Sequence, residues 1–346
     1  MGILDLPNEL LVLVAENLPI GDLSKFRSIS QRLSFLLTPC YKRLCLEDVG
    51  KLTALQWAAV RGHVELIELA ISKGAEIDKP LGSILEKTAP RMSDKPSSVC
   101  LFANRTASFS DAKDAIARTP LYLAACSKKV GAVKVLLKLG ASMQCFGGMN
   151  TPAHISAARG DVDCMRAFIG AGFDINTTGN KATTILHEAI RGGVEMVKYL
   201  LEHGGGEKLV NAKNIFCRTP LHLVGGSFPV RYRRRVMTEL LLQHGADIYA
   251  CDMFWDTPAH IAAFKGDVDT MRVFIAAGID YYARGNYGRT MLHYAVSNRK
   301  GVLEYLLKQK GVRKIIHVKD DMGQTPLDNA VIPEVVKRLV ELSENT

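Results

Sequence analysis

Residues 151–172, TPAHISAARGDVDCMRAFIGAG, contain the pattern that decides the fold of this chain. Thr151 can cap a helix with its side-chain oxygen, and Pro152 suits the first helical position because it has no N–H to satisfy. The polar tripeptide Arg159-Gly160-Asp161 then breaks this short helix. Apolar residues at helical spacing predict a second helix from about Val162 to Ala171. The stretch therefore predicts two short helices joined by a loop.

The same phrase, Thr-Pro-Leu/Ala-His or a close variant of it, recurs along the chain. It begins at residues 119, 151, 184, 219, 257, 290 and 325, and a further unit begins at Thr53. In six units a glycine stands 21 residues after the threonine, where it can adopt the left-handed conformation that ends a helix: Gly74, Gly140, Gly172, Gly205, Gly278 and Gly311. A fixed period of this kind means that one supersecondary unit is stacked many times into a solenoid. Solenoids are usually surfaces for binding rather than pockets for chemistry.

These residues resemble the ankyrin repeat, and the resemblance covers residues 53 to about 340. It implies an all-α ankyrin-repeat solenoid, in which each helix-loop-helix is followed by a projecting β-hairpin finger. It divides the chain into a first repeat at 49–78 and repeats two to eight, with a C-terminal cap, at 119–346. Residues 79–118 lack the phrase and are either an extended finger loop or a degenerate repeat. The fifth repeat is five residues longer, and the extra length falls in the helix-helix loop around Gly225 to Arg231.

The first fifty residues have a different pattern, with leucines at helical spacing after Pro7. The motif Leu6-Pro7-x-Glu9-Leu10-Leu11, followed by Asp22-Leu23 and Phe26-Arg27, resembles an F-box, so residues 1–48 are predicted to form a small helical domain. An F-box followed by ankyrin repeats is similar to a widespread fungal type of protein. The resemblance implies binding to the Skp-family adaptor of a cullin–RING ubiquitin ligase through seven residues: Leu6, Pro7, Leu10, Leu11, Val14, Leu23 and Phe26. The alternative is that these helices only cap the first repeat.

The loops that precede the Thr-Pro phrases carry large apolar side chains, although loops are normally polar. Exposed aromatic residues often anchor protein interfaces. Because the fingers of an ankyrin fold project along one edge, six side chains are predicted to line up there and bind a target protein: Phe146, Phe216, Phe254, Trp255, Tyr287 and Met322. The alternative is that each side chain folds back onto the neighbouring finger. Phe254, Trp255 and Tyr287 are the strongest candidates.

No pattern in the chain predicts a catalytic, metal or cofactor site. Asp161 and Asp163, like Asp267 and Asp269, stand at predicted helix starts, where acidic residues suit the helix dipole. A Gly-rich phosphate loop, an HExxH motif and a nucleophile elbow are absent. One histidine per repeat follows a helix start, which predicts a repeated structural hydrogen bond rather than metal ligation: His154, His187, His222, His260 and His293. We therefore expect no enzymatic activity, no metal and no cofactor.

Charge and cysteine usage limit the partners and the compartment. The net charge is +9, but the only dense basic cluster is Arg231 with Arg233–Arg235, so we do not expect a nucleic-acid partner. The longest strongly apolar run near the start, Leu10 to Ala15, is far shorter than the ~20 residues that span a membrane. The eight cysteines include no Cys-x-x-Cys pair, which indicates reduced thiols in a cytoplasmic or nuclear protein.

The leading hypothesis from sequence is a substrate-receptor subunit of an SCF-type ubiquitin ligase. The F-box-like helices would bind the adaptor, and the concave face and fingers of the repeats would hold a target protein. The alternative is a non-catalytic ankyrin scaffold or sequestering protein, whose N-terminal helices only cap the solenoid.

Overall fold

The structure is a computed structural model that describes residues 54–72, 74–80, 119–144, 149–203, 205–227, 231–298 and 300–330, with Val336, Leu339 and Val340. The predicted F-box-like domain at 1–48, most of the segment 79–118 and the fingertip residue Phe146 lie outside these residues. Within them every regular element is a helix.

The described residues form fifteen α-helices, which pair in the order that the repeats predict. In chain order they are α1 (Ala54–Arg61), α2 (Val64–Ser72), α3 (Pro120–Cys126), α4 (Val130–Lys138), α5 (Pro152–Ala158), α6 (Val162–Gly170), α7 (Ile185–Gly192), α8 (Val194–Glu202), α9 (Pro220–Ser227), α10 (Arg231–Gln243), α11 (Pro258–Lys265), α12 (Val268–Ala276), α13 (Met291–Asn298), α14 (Lys300–Leu307) and α15 (Lys310–Arg313). Short 3₁₀ turns lie at Asn180–Ala182, Gly206–Leu209 and Asn286–Gly288.

The helices belong to two compact units. The described residues up to Ser156, with Asp163–Phe173, form the first unit, and Ala157–Val162 with the residues from Asp174 onward form the second. In the first unit α1 packs against α3 and α2 packs against α4. Its core is built from side chains that are fully buried: Leu55, Ile67, Leu121, Leu136, Met165 and Phe168. Burial of each such side chain stabilises the fold by roughly 1.5–3 kcal/mol.

The second unit repeats this arrangement with more members. The first helices of its repeats, α7, α9, α11 and α13, pack side by side, and the second helices, α8, α10, α12 and α14, form a parallel row. Small buried residues such as Ala189, Ala263 and Ala295 lie in the first row and allow the helices to approach closely. Larger side chains such as Phe274 fill the space between the rows. Each repeat therefore buries its apolar face against its neighbours.

The predicted helix starts are confirmed from Thr119 to Thr290, whereas the residues after Thr325 form a turn. Thr119 accepts a hydrogen bond from the Tyr122 N–H at 3.3 Å, and Thr151 accepts one from the His154 N–H at 3.3 Å. Thr184 and Thr257 form capping boxes with the histidine three residues later. The Thr-Pro-x-His phrase is therefore a helix start in which threonine and histidine satisfy N–H groups that the helix leaves unpaired.

The predicted helix ends are confirmed at five of the six glycines. Gly74, Gly140, Gly172, Gly205 and Gly278 all have positive φ, from +72° to +89°. The prediction for Gly311 is wrong, because this residue lies inside α15. A Cβ there would stand 2.5 Å from Cε2 of Tyr281, so glycine is needed for the close approach of that ring.

The fingers differ from the β-hairpins that the resemblance implied, because no described residue lies in a β-strand. In the second unit each finger ends in a five-residue turn, which we call a fingertip turn: residues 179–183, 214–218, 252–256, 285–289 and 320–324. The N–H of the first residue donates to the carbonyl of the fifth at 2.7–3.0 Å. The residue after the fifth is the threonine that caps the next helix, so the chain has no length left for a strand ladder.

The longer fifth repeat also differs from its prediction. Its second helix, α10, has 13 residues, whereas the equivalent α12 has nine. The additional residues therefore extend mainly the helix, rather than the helix-helix loop around Gly225 to Arg231. The basic cluster consequently lies on the first turns of α10.

Replacing Gly192 with Ala is expected to lower the free energy of unfolding by at least about 2 kcal/mol. A Cβ at Gly192 would collide with the carbonyl oxygen of Ala157 and stand 2.8 Å from the Gly160 nitrogen, so the backbone must shift. Gly170→Ala is the matched control, because nothing lies within 4 Å of its added Cβ, and we expect it to stabilise the helix by about 0.5–1 kcal/mol. Urea denaturation measures both; equal stability of Gly192→Ala and wild type would contradict the prediction.

Candidate protein-binding surface

Three of the five fingertip turns are built on a polar side chain at their first position. The Oδ1 of Asn214 accepts hydrogen bonds from the N–H groups of Phe216 and Arg218 at 2.9 and 3.1 Å. Asp252 does the same for the third and fifth residues of its turn, and so does Asp320. This local bonding mimics a backbone turn and is a known use of Asn and Asp. It leaves the side chains at the tip without a role in closing the turn.

Arginine side chains connect one fingertip turn to the next. Arg218, the last residue of its turn, places Nε 3.0 Å from Oδ2 of Asp252, and Arg289 places Nε 3.2 Å from Oδ2 of Asp320. Both carboxylates are fully buried. Burial opposes ionisation of Asp320, but the Gln324 N–H, the Arg289 guanidinium and the Met322 N–H outweigh it and hold its pKa below the ordinary value. Removing the arginine of such a pair would leave a buried carboxylate without its ionic partner.

Backbone hydrogen bonds also join neighbouring turns. The Ile215 N–H donates to the Lys181 carbonyl at 3.1 Å, and the Met253 N–H donates to the Phe216 carbonyl at 2.9 Å. The Asp321 N–H likewise donates to the Tyr287 carbonyl at 2.9 Å. Adjacent fingertips are therefore held in register, which gives their exposed side chains a defined spacing.

The repeat histidines anchor these turns from below. The Nδ1 atoms of His187, His222 and His293 accept the N–H of the capping threonine at 3.1–3.2 Å. Because Nδ1 accepts, Nε2 carries the proton and donates to a carbonyl of the following finger at 2.8–3.1 Å. The predicted structural role of the histidines is confirmed. Among the described residues, no group of three or more His, Cys, Asp or Glu side chains could hold a metal.

Burial lowers the pKa of these histidines below the ordinary value of 6.5. Burial lowers the pKa of His222 to about 4, although its hydrogen bond to the Asp256 carbonyl acts in the opposite direction. The pKa values of His187, His260 and His293 are lowered for the same first reason. At pH 7 the imidazole rings that hydrogen-bond to the fingers are therefore neutral.

The tips of the turns expose a row of apolar side chains, which we call the fingertip strip. Of the predicted target-binding residues, Phe254, Trp255, Tyr287 and Met322 are exposed by 45, 71, 60 and 69%. Phe216 is only half-buried, and the Lys181 ammonium lies 5.8 Å from its ring centroid. The strip is completed by two residues that sequence reasoning missed, although they occupy the position just before the predicted aromatics: Ile215 and Met253, both exposed.

Two other predicted groups of residues are the adaptor-binding residues and the basic cluster. The seven predicted adaptor-binding residues, Leu6 to Phe26, lie outside the described part of the chain. In the basic cluster, Arg234 pairs with the buried carboxylate of Asp267 at 3.3 Å, and Arg235 pairs with Glu239 at 2.8 Å. Arg234 and Arg235 therefore pair with carboxylates of the protein itself. No helix in the described ranges is both long and apolar enough to cross a bilayer.

Two family models match the chain. The model described as ankyrin repeats (3 copies) matches residues 143–214 and 230–316, and the model described as ankyrin repeat matches residues 51–80 and 118–145. Together they cover more than half of the 346 residues. No F-box domain is found.

Similar proteins include several of quite different roles. The chain is 25% identical over 254 residues to the E3 ubiquitin-protein ligase KEG of Arabidopsis thaliana, a match that covers 61% of this chain and 15% of that protein. It is 28% identical to human ankyrin repeat and SOCS box protein 16, covering 61% of this chain and 47% of the relative. It is 27% identical to the mouse B-cell lymphoma 3 protein homolog, covering 55% and 42%. The chain thus spans less than half the length of each of these relatives.

A solved structure matches the repeats. The crystal structure of the ankyrin repeat domain of Bcl-3, described as a unique member of the IkappaB protein family, is similar with a TM-score of 0.52 at 25% sequence identity. The match covers 75% of this chain and all of that chain.

Proposed function

The chain belongs to the ankyrin-repeat family, and from that premise we propose that it is the substrate-receptor subunit of an SCF-type ubiquitin ligase. Ankyrin repeats are protein-interaction modules. In the proposal the fingertip strip holds a target protein, and the N-terminal helices bind the Skp-family adaptor of a cullin–RING ligase. The chain itself is non-catalytic and needs no cofactor, because other subunits of the ligase transfer ubiquitin.

The observation that carries the target-binding half is the exposure of the fingertip strip. Trp255 and Tyr287 leave 71 and 60% of their surface in solvent, on turns that hydrogen bonds hold in place. A folded protein gains nothing from exposing a large aromatic side chain on a rigid loop, whereas such residues are typical interface anchors. A rigid, pre-formed surface also lowers the entropic cost of binding.

The adaptor-binding half rests on sequence. Its support is the pattern of Leu6, Pro7, Leu10 and Leu11 with the later Leu23 and Phe26. A second, weaker support is that one similar protein is named an E3 ubiquitin-protein ligase and another carries a SOCS box in its name.

A Leu6→Ala, Leu10→Ala double variant is expected to lose the adaptor complex. Wild type co-expressed with the Skp-family adaptor should elute from a size-exclusion column as a one-to-one complex, because the two leucines would contribute roughly 1.5–3 kcal/mol each when buried in that interface. The matched control is Trp255→Gly, which alters the proposed target-binding surface and should keep the adaptor complex.

The second candidate function is a scaffold or sequestering protein that does not bind the adaptor. The similarity to the Bcl-3 ankyrin domain over 75% of the chain supports it, because that structure is described as an ankyrin repeat domain of the IkappaB protein family. In the same experiment this function predicts no adaptor complex with wild type. It also predicts that the double leucine variant unfolds at a lower temperature, since the leucines would then cap the first repeat.

A further inference from the structure

Around the fingertip strip most acidic side chains are buried or half-buried, whereas several basic side chains are exposed. In the five fingertip turns and the residue that precedes each, the carboxylates of Asp252 and Asp320 are buried against arginines, and Asp256 is half-buried. The only exposed carboxylate of these segments is Asp321, which lies 3.9 Å from Arg284. Four cations of the same segments are exposed: Lys181, Lys213, Arg284 and Lys319. The accessible face of the strip is therefore cationic, with four exposed cations and one exposed carboxylate.

The hydrogen-bonded row of fingertips is interrupted at one place. By the pattern of the other turns, the Asn286 N–H would donate to the Phe254 carbonyl, but it donates to Oδ1 of Asp256 at 3.0 Å. The same Asp256 oxygen accepts the hydroxyl of Tyr294. Gly285 makes this possible, since a Cβ there would collide with the Asp256 carboxylate. No described group donates to the Phe254 carbonyl, which is left as an open backbone acceptor.

The histidine beneath this interruption also departs from the pattern. His187, His222 and His293 donate to the carbonyl of the fifth residue of the following turn. His260 donates to the Ala283 carbonyl at 3.1 Å, ahead of its turn, and also interacts with the carbonyl of Arg289, the fifth residue. The Asn286 contact therefore shows that turns 252–256 and 285–289 are joined differently from the other pairs, and the added Ala283 contact of His260 accompanies it.

Trp255 stands at this interruption in an unfavourable backbone conformation. Its φ is +67°, and the equivalent position in the other four turns, Ala182, Cys217, Gly288 and Gly323, also has positive φ but carries a smaller residue. A left-handed conformation costs a bulky residue roughly 1–2 kcal/mol. The side chain recovers nothing by packing, because 71% of it is exposed. Folding alone would favour glycine or a small residue here, so the large exposed ring of Trp255 is the feature that a binding role explains.

We propose that the fingertip strip docks an extended acidic segment of a partner protein, with Trp255 as its central anchor. A backbone N–H of that segment bonds to the Phe254 carbonyl, as in the addition of a strand to an open edge. Its apolar side chains pack between Trp255 and Tyr287, and its carboxylates meet the exposed cations. The inference rests on the proposed function, since it gives the chemistry of the target.

The occupant is a protein segment rather than a nucleic acid. The strip includes the aliphatic side chains of Ile215, Met253 and Met322, which match apolar side chains better than bases. An open carbonyl acceptor and the exposed Asp321 both repel phosphate, whereas a peptide supplies the N–H that the carbonyl needs.

The test is selection of binders from a phage-displayed library of random 16-residue peptides on the full chain. We expect enriched peptides that combine Asp or Glu with aromatic or aliphatic residues. A synthetic copy should bind Trp255→Gly about thirtyfold more weakly than wild type, the usual loss for a central anchor. Lys319→Glu should weaken binding roughly threefold to tenfold, and added salt should weaken wild-type binding, because exposed charges are screened.

The chain offers a direct readout and two controls. It has two tryptophans, Trp57 at 9% exposure and Trp255 at 71%, so protection from acrylamide quenching on peptide binding reports on Trp255. The melting temperature of Trp255→Gly should not fall, because glycine accepts positive φ. Leu139→Ser alters an exposed apolar residue outside the strip and should bind as wild type does.

Several outcomes would overturn the inference. They are enrichment of basic or uncharged peptides, no enrichment, equal binding by Trp255→Gly, or displacement of the peptide by single-stranded DNA. The adaptor experiment is independent of this one. An adaptor complex together with any of these outcomes would therefore reject the acidic segment and leave the ligase proposal standing, whereas acidic binders without an adaptor complex would do the reverse.

Discussion

Lowering the pH from 7.5 to 5 is expected to remove several kcal/mol of the free energy of unfolding, of which His222 alone accounts for about 2 kcal/mol. The pKa of His222 is about 4 in the folded protein, because the ring is buried, and its ordinary value is 6.5. Between these two values the unfolded chain binds a proton and the folded chain does not. Stability is therefore full above pH 7 and falls as the pH approaches 4.

The geometry gives the same direction as the pKa. Protonation would place a hydrogen on Nδ1 of His222, which accepts the Thr219 N–H at 3.1 Å. The charged ring would lose that hydrogen bond and face a second donor. His187, His260 and His293 have the same contact, and their pKa values are lowered by burial as well, so they add to the effect.

Urea denaturation at pH 7.5, 6.5, 5.5 and 5.0 measures this loss. His222→Gln removes one titrating ring and should make the dependence on pH shallower, even if it lowers stability at pH 7.5. His203→Gln is the matched control, because His203 is exposed and supports no fingertip turn. Asp320 does not interfere, since its pKa lies below 3.8 and its contribution is lost only in stronger acid. A free energy of unfolding that is constant over this range would refute the prediction.

Replacing Asp267 with Ala is expected to destabilise the second unit by about 3–5 kcal/mol, the usual cost of removing one partner of a buried ion pair. The Asp267 side chain is 1% exposed and lies 3.3 Å from Nη1 of Arg234, whose side chain is 18% exposed. Asp267 also caps α12, because its carboxylate accepts the N–H of Thr270 at 3.2 Å and the hydroxyl at 2.7 Å. The variant would thus lose a cap and leave the Arg234 charge without this carboxylate.

The neighbouring arginine supplies the control. Arg235 pairs with Glu239 on the surface of α10, so Arg235→Ala should change the free energy of unfolding by at most about 0.5 kcal/mol. A double variant, Arg234→Leu with Asp267→Ser, should recover part of the loss, because it removes both charges and keeps a capping hydroxyl. Chemical denaturation measures all three variants. A loss below about 1 kcal/mol for Asp267→Ala would show that the pair has little role in stability.

Features that depend on contacts within three or four residues were predictable. The Thr-Pro-x-His helix start was predictable, because the threonine and the histidine of one helical turn hydrogen-bond to each other. The glycine that ends the second helix was predictable for the same reason, except at Gly311, where the close approach of Tyr281 decides the residue. The β-hairpin form of the fingers was not predictable, because the sequence carries no signal that separates a five-residue turn from a hairpin.

The fingertip strip was predictable only in part. Sequence indicates which loops carry aromatic residues, but not that Phe216 is half-buried beside Lys181 while Trp255 is exposed. It also passed over Ile215 and Met253, since a single aliphatic residue in a loop is not distinctive. The functional roles of the strip and of the N-terminal leucines stay predictions for the experiments above.

The sequence by itself determined the period, the helix pairs and the histidine-threonine caps, because these depend on local hydrogen bonds that each repeat makes anew. The tertiary structure decided which charges are buried and which side chains are exposed. Arg234 meets Asp267, and Asp256 meets Tyr294, only when neighbouring repeats stack in one register. That register follows from the packing of whole helix rows, and no short stretch of sequence contains it.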